Sequence, residues 1–193
     1  MSSLKTYETE LDEVIDIVIK LNWTYAIFCA FYQKKQVDRD IREKHPEFFL
    51  IIHESLLCNV CTAVTLLFKG KQKETSIFSL IKRIESSNPT LSKKLVQKIG
   101  SHKSLIRKVT TIRHQVFAHR CESKSPNEVF DEVKLYLKML GEVVILSQFV
   151  THVLAQEVGR GKAKGFTKHL EEGARYIVKD ADLVMQTFLK MVH

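Results

Sequence analysis

The segment TTIRHQVFAHRCE (110–122) gathers the residues best suited to chemistry. Arg113 is followed at once by His114, and His119 stands six positions after Arg113. An imidazole titrates near neutral pH, so His119 can act as general base or general acid. A guanidinium stays charged and can hold two phosphate oxygens at once, which suits Arg113 to an anionic substrate. Leu105, Val109, Ile112 and Val116 recur at helical spacing and predict one apolar stripe. On an ideal helix Arg113 and His119 flank that stripe, roughly 60° to either side and about 120° apart. Arg113 is long enough to reach across, and His119 falls where the helix frays. A second copy packed on the stripe across a two-fold axis also brings both groups of both chains into one cleft. Spacing alone equally fits a basic helix surface ended by a histidine that suits the helix dipole.

The charge around this segment is concentrated. The chain carries a net charge of +8. Between Leu91 and Lys124 lie nine basic residues and one acid, Glu122, while the rest has 21 of each sign. All the excess charge therefore sits in about one sixth of the sequence. A concentrated positive field attracts a polyanion, and nucleic acid is the commonest in a cell. A solvated basic face that aids solubility is the plainer reading. Lys103, Arg107, Lys108 and Arg120 are the expected contacts to an RNA backbone.

The elements that must position these groups are predicted to be helices. Only 7 glycines and 3 prolines occur in 193 residues, too few for a turn-rich β fold. A first helix is expected from about Leu4 to Gln33, then a charged connector from Lys34 to His45. A second runs from Pro46 to near Gly70 and is expected to be the central buried helix because its apolar face is wide. A short helix at about 75–85 precedes one opened by Asn88-Pro89 and stopped at Gly100. Another runs from about His102 to His119. Ser125-Pro126-Asn127-Glu128 reads as a capping box opening one long helix to about Glu157. GRGKAKG (159–165) is a flexible basic linker before a last helix at about 167–191. The sum is one all-α domain over residues 1–193, a bundle of about six to seven helices.

With these residues in order, a family comes into view. Arg113, the polar His114 after it and the following His119 resemble the signature of HEPN domains. Trp23 with Phe28 and Phe31, then HPEFFLIIHESLL (45–57), SIFSLIKRI (76–84) and IRHQVFAHR (112–120), resemble the abortive-infection branch of that superfamily in order and spacing. The likeness spans roughly Asn22 to Arg120. One departure is AVTLLFKG (63–70), where that branch ends its second helix with a basic residue, a leucine and an acid.

The resemblance implies an all-α fold, a homodimer and metal-independent RNA cleavage, as a toxin or phage-defence effector. Cutting RNA at its own 2′-hydroxyl requires that hydroxyl to lose a proton, the leaving 5′-oxygen to gain one, and the charge on phosphorus to be held. His119 would move protons, Arg113 would hold the phosphate, and two protomers would supply two histidines. The product would be a 2′,3′-cyclic phosphate. His114 would orient or touch the phosphate. Independently of the resemblance, Glu54 in the second helix is a candidate to orient Arg113 through a salt bridge. The same fold without catalysis would be an RNA- or protein-binding module, such as an antitoxin or a defence-complex subunit.

Other signals point elsewhere or nowhere. Cys58 and Cys61 form one CxxC with no second pair, so they are read as small apolar residues and not as a zinc site. No metal or cofactor is expected, since no carboxylate cluster suggests magnesium chemistry. GRGKAKG lacks the P-loop pattern. Trp23 and the phenylalanines between 28 and 49 fit a core better than a stacking platform for bases. Four cysteines and a polar start, MSSLKTYETE, suggest a reducing cytoplasm. Leu56 to Phe68, broken by Asn59, Thr62 and Thr65, is too short to cross a bilayer.

Overall fold

A computed structural model describes residues 2–33, 43–69, 75–118 and 125–157, together with 168, 170, 172, 173, 175, 176 and 179. Among these residues every regular element is helical. In chain order they are α1 (Ser2–Gln33), α2 (Pro46–Lys69), α3 (Ile77–Ile84), α4 (Pro89–Gly100), α5 (Lys103–Ile112), a π-helical turn (Arg113–Ala118), α6 (Pro126–Val133) and α7 (Leu137–Glu157). The seven described residues between 168 and 179 are helical too. The predicted 159–165 linker lies outside the described residues.

α1 buries Tyr7, Leu11, Val14, Val18, Leu21 and Phe28, in steps that alternate near three and four. That spacing makes a narrow apolar seam down one side of the helix. α1 packs on both α2 and α7, and α3 closes the same core from a third side. The most deeply buried helix is α7, with Leu140, Val143, Val144, Leu146, Val150 and Leu154 all inside. This corrects the expectation for α2, whose first half leaves Phe48, Leu50 and Ile51 exposed. A wide apolar face shows that a helix must be covered, but not how much of it this chain covers.

The short helices start where local chemistry dictates. Ser76 and Ser79 cap each other's backbone at the start of α3. Asn88 accepts from the Leu91 N–H, with Pro89 in the first turn of α4. Ser125 and Glu128 form the expected reciprocal box at α6, which satisfies two otherwise orphaned N–H groups.

The long helix expected from Ser125 to Glu157 is two helices. α6 ends at Val133, and Lys134 takes a left-handed conformation at φ 50° that turns the chain into α7. No glycine or proline marks the break, and a lysine adopts this conformation only where its surroundings hold it. One such support is visible: the Lys108 ammonium donates to the Lys134 carbonyl at 3.2 Å. α5 is thereby tied to the elbow between α6 and α7.

α1 from Tyr7 to Phe31, α2 from Pro46 to Phe68, and α7 are each long and apolar enough to cross a membrane by length and composition. The run Leu56 to Phe68 is too short by itself, but in α2 it continues an apolar first half that starts at Pro46, interrupted by isolated polar residues that a spanning helix tolerates. Charges nevertheless sit on the outward positions of these helices, as with Asp12, Glu13, Asp16 and Lys20 on α1.

Candidate functional site

The candidate segment begins where α5 gives way to the π-helical turn. Val109 and Ile112 are fully buried, and Leu105 and Val116 pack against the core. The predicted stripe is therefore real, but it is covered by this chain's own α2 and α7. Val109 and Ile112 are therefore closed to a second copy, and of the stripe only Leu105 and Val116 keep some exposure. The pattern defined an apolar face correctly, and the chain itself supplies its cover.

Arg113 opens the π turn, its N–H directed at the carbonyls of Val109 and Thr110. A π turn closes over five residues where an α turn closes over four, and such turns occur often at functional sites. It widens the helix, so that the neighbours Val116 and Phe117 both face one cleft. Arg113 and His114 are half-buried at its start, and Arg113 Nη1 stands 3.4 Å from His114 Nδ1. The guanidinium has only donors, so a hydrogen bond between the two forms only with the His114 tautomer that leaves Nδ1 as the acceptor. His119 and Arg120 lie outside the described residues.

Glu54 is exposed on α2 and makes no ion pair with Arg113 among the described residues. It sits instead on the wall of the same cleft as Val116 and Phe117. The cleft has a volume of about 300 Å³. His53 and Glu54 enter it from α2, Phe117 from the π turn, and Asn127 and Phe130 from α6. Leu50, Phe28 and His53 also line a second cleft of about 370 Å³ over the first half of α2. The His53 ring leans on Phe28, with centroids 5.1 Å apart.

The basic field divides into free and engaged charges. Lys93, Lys94, Lys98, Lys103 and Arg107 are exposed on α4 and α5. Lys108 is half-buried and committed to the Lys134 carbonyl, so it serves the fold first. Of the expected backbone contacts, Lys103 and Arg107 stand free toward solvent on the helix that leads into Arg113.

The cysteines fit the core reading. Cys61 is buried, and burial pushes its thiol up to about 12, with Cys58 close by reinforcing the shift. A thiol held protonated in that way is a poor nucleophile and a poor metal ligand. Among the described residues no group of three or more His, Cys, Asp or Glu could hold a metal ion.

Sequence reasoning missed His53, Phe117 and Asn127 as cleft residues. The adjacent apolar pair Val116-Phe117 at the end of a helical stripe was the available signal, because a regular α-helix would turn one of them away. Comparison with family models, with curated proteins and with solved structures gives no match for this chain.

Proposed function

We propose that this chain is a metal-independent endoribonuclease with a HEPN-like bundle, in which Arg113 holds the scissile phosphate and His119 moves protons. The observation that carries the proposal is the setting of Arg113. It is half-buried at the head of a π turn, beside His114, where an exposed basic helix ends and a turn begins whose far end, Val116 and Phe117, lines a cleft. Positive charge on α4 and α5 attracts the RNA backbone, and Arg113 fixes one phosphate of it.

In the reaction the ribose 2′-oxygen bonds to phosphorus and the bond to the 5′-oxygen breaks. One imidazole takes the 2′-hydroxyl proton and another gives a proton to the departing oxygen, leaving a 2′,3′-cyclic phosphate. Proton transfer of this kind is worth about 10²–10⁴-fold in rate. His114 keeps Arg113 oriented. Two protomers supply the two His119 imidazoles, and the apolar face of Phe48, Leu50 and Ile51 suits such a contact better than the covered stripe. The reading includes a cytoplasmic setting and a role as a toxin or defence effector, with a cognate antitoxin or defence-complex protein as a partner. Charged outward positions on α1 support an aqueous surroundings.

The test is incubation of the purified protein with labelled tRNA and mRNA in EDTA, beside Arg113→Ala and His119→Ala. Cleavage by the parent, lost in both variants with the fold intact, is the expected result. Equal cleavage by both variants would remove the assigned site.

A second reading is a non-enzymatic RNA- or protein-binding module of the same fold. The exposed lysines and arginine of α4 and α5 favour it, since they bind a polyanion without performing chemistry. It gives salt-sensitive RNA binding without product, weakened by charge reversal at Lys103 or Arg107.

A further inference from the structure

Glu54 was expected to serve Arg113, and it does not. It is exposed and lines a largely apolar cleft together with Phe117 and Asn127. Protein sites that hold small flat ligands combine apolar and aromatic walls with a few placed polar groups. About 300 Å³ suits one planar ring system. The cleft wall and the phosphate-binding Arg113 belong to the same π turn. Arg113 does not line the cleft itself but stands four positions before Phe117, about one π-helical turn, which is the spacing a nucleotide needs to place its phosphate on one and its base on the other.

We infer that this cleft is a nucleobase subsite for guanine, in which Phe117 stacks on the base, Glu54 accepts its two neighbouring N–H donors and Asn127 donates to its O6. The inference rests on the RNA-cleaving reading and names the base that reading leaves open. The base is selected by donor pattern. A carboxylate offers acceptors only. Guanine alone places a ring N–H next to an exocyclic amino group, matching the two carboxylate oxygens. Adenine and cytosine pair their amino group with a neighbouring ring acceptor, which a carboxylate repels. Uracil flanks its single N–H with two carbonyl oxygens. The amide of Asn127 supplies the donor that guanine O6 requires. The N-terminus of α6 does not compete for the phosphate, because Ser125 and Glu128 already cap it.

The test uses four 2′-O-methyl pentanucleotides, which cannot be cut at the 2′-position, identical except for guanine, adenine, cytosine or uracil at the centre and uracil elsewhere. Binding to the full chain is measured by fluorescence anisotropy in EDTA. The guanine oligonucleotide should bind about tenfold more tightly than the others, the usual discrimination of a bidentate contact. Glu54→Ala, at an exposed position, should erase that preference, whereas Arg113→Ala should weaken all four alike. Phe117→Leu should also weaken all four, by loss of stacking. Equal binding of the four by the parent, still dependent on Arg113, overturns the subsite and leaves the nuclease reading standing. A guanine preference that persists in Glu54→Ala also overturns it. A changed sedimentation coefficient in Glu54→Ala without a changed base preference assigns the cleft to a second copy and ends the inference. No binding of any of the four, with no cleavage of longer RNA, ends both.

Discussion

Arg113 Nη1 and His114 Nδ1 stand 3.4 Å apart at the first step of the π turn. The separation is long for a hydrogen bond, so the contact orients the guanidinium more than it stabilises the fold. Arg113→Lys should therefore leave the melting temperature nearly unchanged. It keeps a charge but loses the planar fork. If Arg113 grips the scissile phosphate with two donors, the lysine variant should cleave about 10-fold to 100-fold more slowly, the equivalent of ~1.5–3 kcal/mol. Single-turnover cleavage of a labelled RNA measures this. A lysine variant as fast as the parent would mean that Arg113 acts only as a diffuse charge.

Gly141 and Tyr25 fix the distance between α7 and α1. A β-carbon at Gly141 would lie 2.6 Å from the Tyr25 hydroxyl, which itself donates to the Leu137 carbonyl at 3.2 Å. Gly141→Ala should thus destabilise the chain by about 1–3 kcal/mol, the usual range for overpacking. Adding Tyr25→Phe removes the colliding oxygen and should recover part of that loss. Urea denaturation of the two single variants and the double variant gives the coupling between the positions. Strict additivity would show that the two residues do not meet.

Much of this architecture was legible in the sequence because it is local. Asn88-Pro89 and Ser125-Pro126-Asn127-Glu128 announce helix starts through bonds made within four residues, and those starts stand where expected. The Leu105, Val109, Ile112, Val116 stripe was legible as a face. What covers that face was not, since periodicity says that a surface is buried without naming its partner. The elbow at Lys134 was illegible for a similar reason. It depends on tertiary support, including a bond from Lys108, 26 positions earlier. The π turn escaped because helix periodicity assumes 3.6 residues per turn, and with it went the placement of Phe117 in the cleft.

The described residues near the C-terminus are held to α1 by a short polar chain. Gln148 donates to Asn22 Oδ1 at 2.6 Å, and Asn22 Nδ2 donates to the Leu170 carbonyl at 3.1 Å. Beside it, a β-carbon at Gly173 would collide with the indole nitrogen of Trp23. Gly173→Ala should force the two apart, and Asn22→Ala should leave Gln148 and Leu170 without their partner, at about 1–3 kcal/mol. Trp23 is the only tryptophan of the chain, so its emission reports on this contact alone. Both variants should shift that emission to longer wavelength. An unchanged spectrum in both would place the C-terminal residues elsewhere in solution.

Tyr7 makes the bundle sensitive to alkali. Its hydroxyl is buried with no hydrogen-bond partner among the described residues, and its pKa is pushed from 10 up to about 12. Burial is the largest cause, followed by the nearby Glu157 carboxylate, while Arg83 pulls the other way and Glu10 adds a little. The folded state therefore keeps its proton to a higher pH than the unfolded chain does. Stability is unaffected below about pH 10, where both states hold the proton, and falls as pH rises from 10 toward 12. The slope attributable to this group approaches about 1.4 kcal/mol per pH unit. Tyr7→Phe removes the titrating group together with an unsatisfied buried oxygen. It should be as stable as the parent or more so at pH 7, by up to about 1 kcal/mol. It should also lose less stability between pH 10 and 12. Urea midpoints of both proteins across that range decide the matter, and parallel curves would show that Tyr7 ionises in the folded state as freely as in the unfolded one.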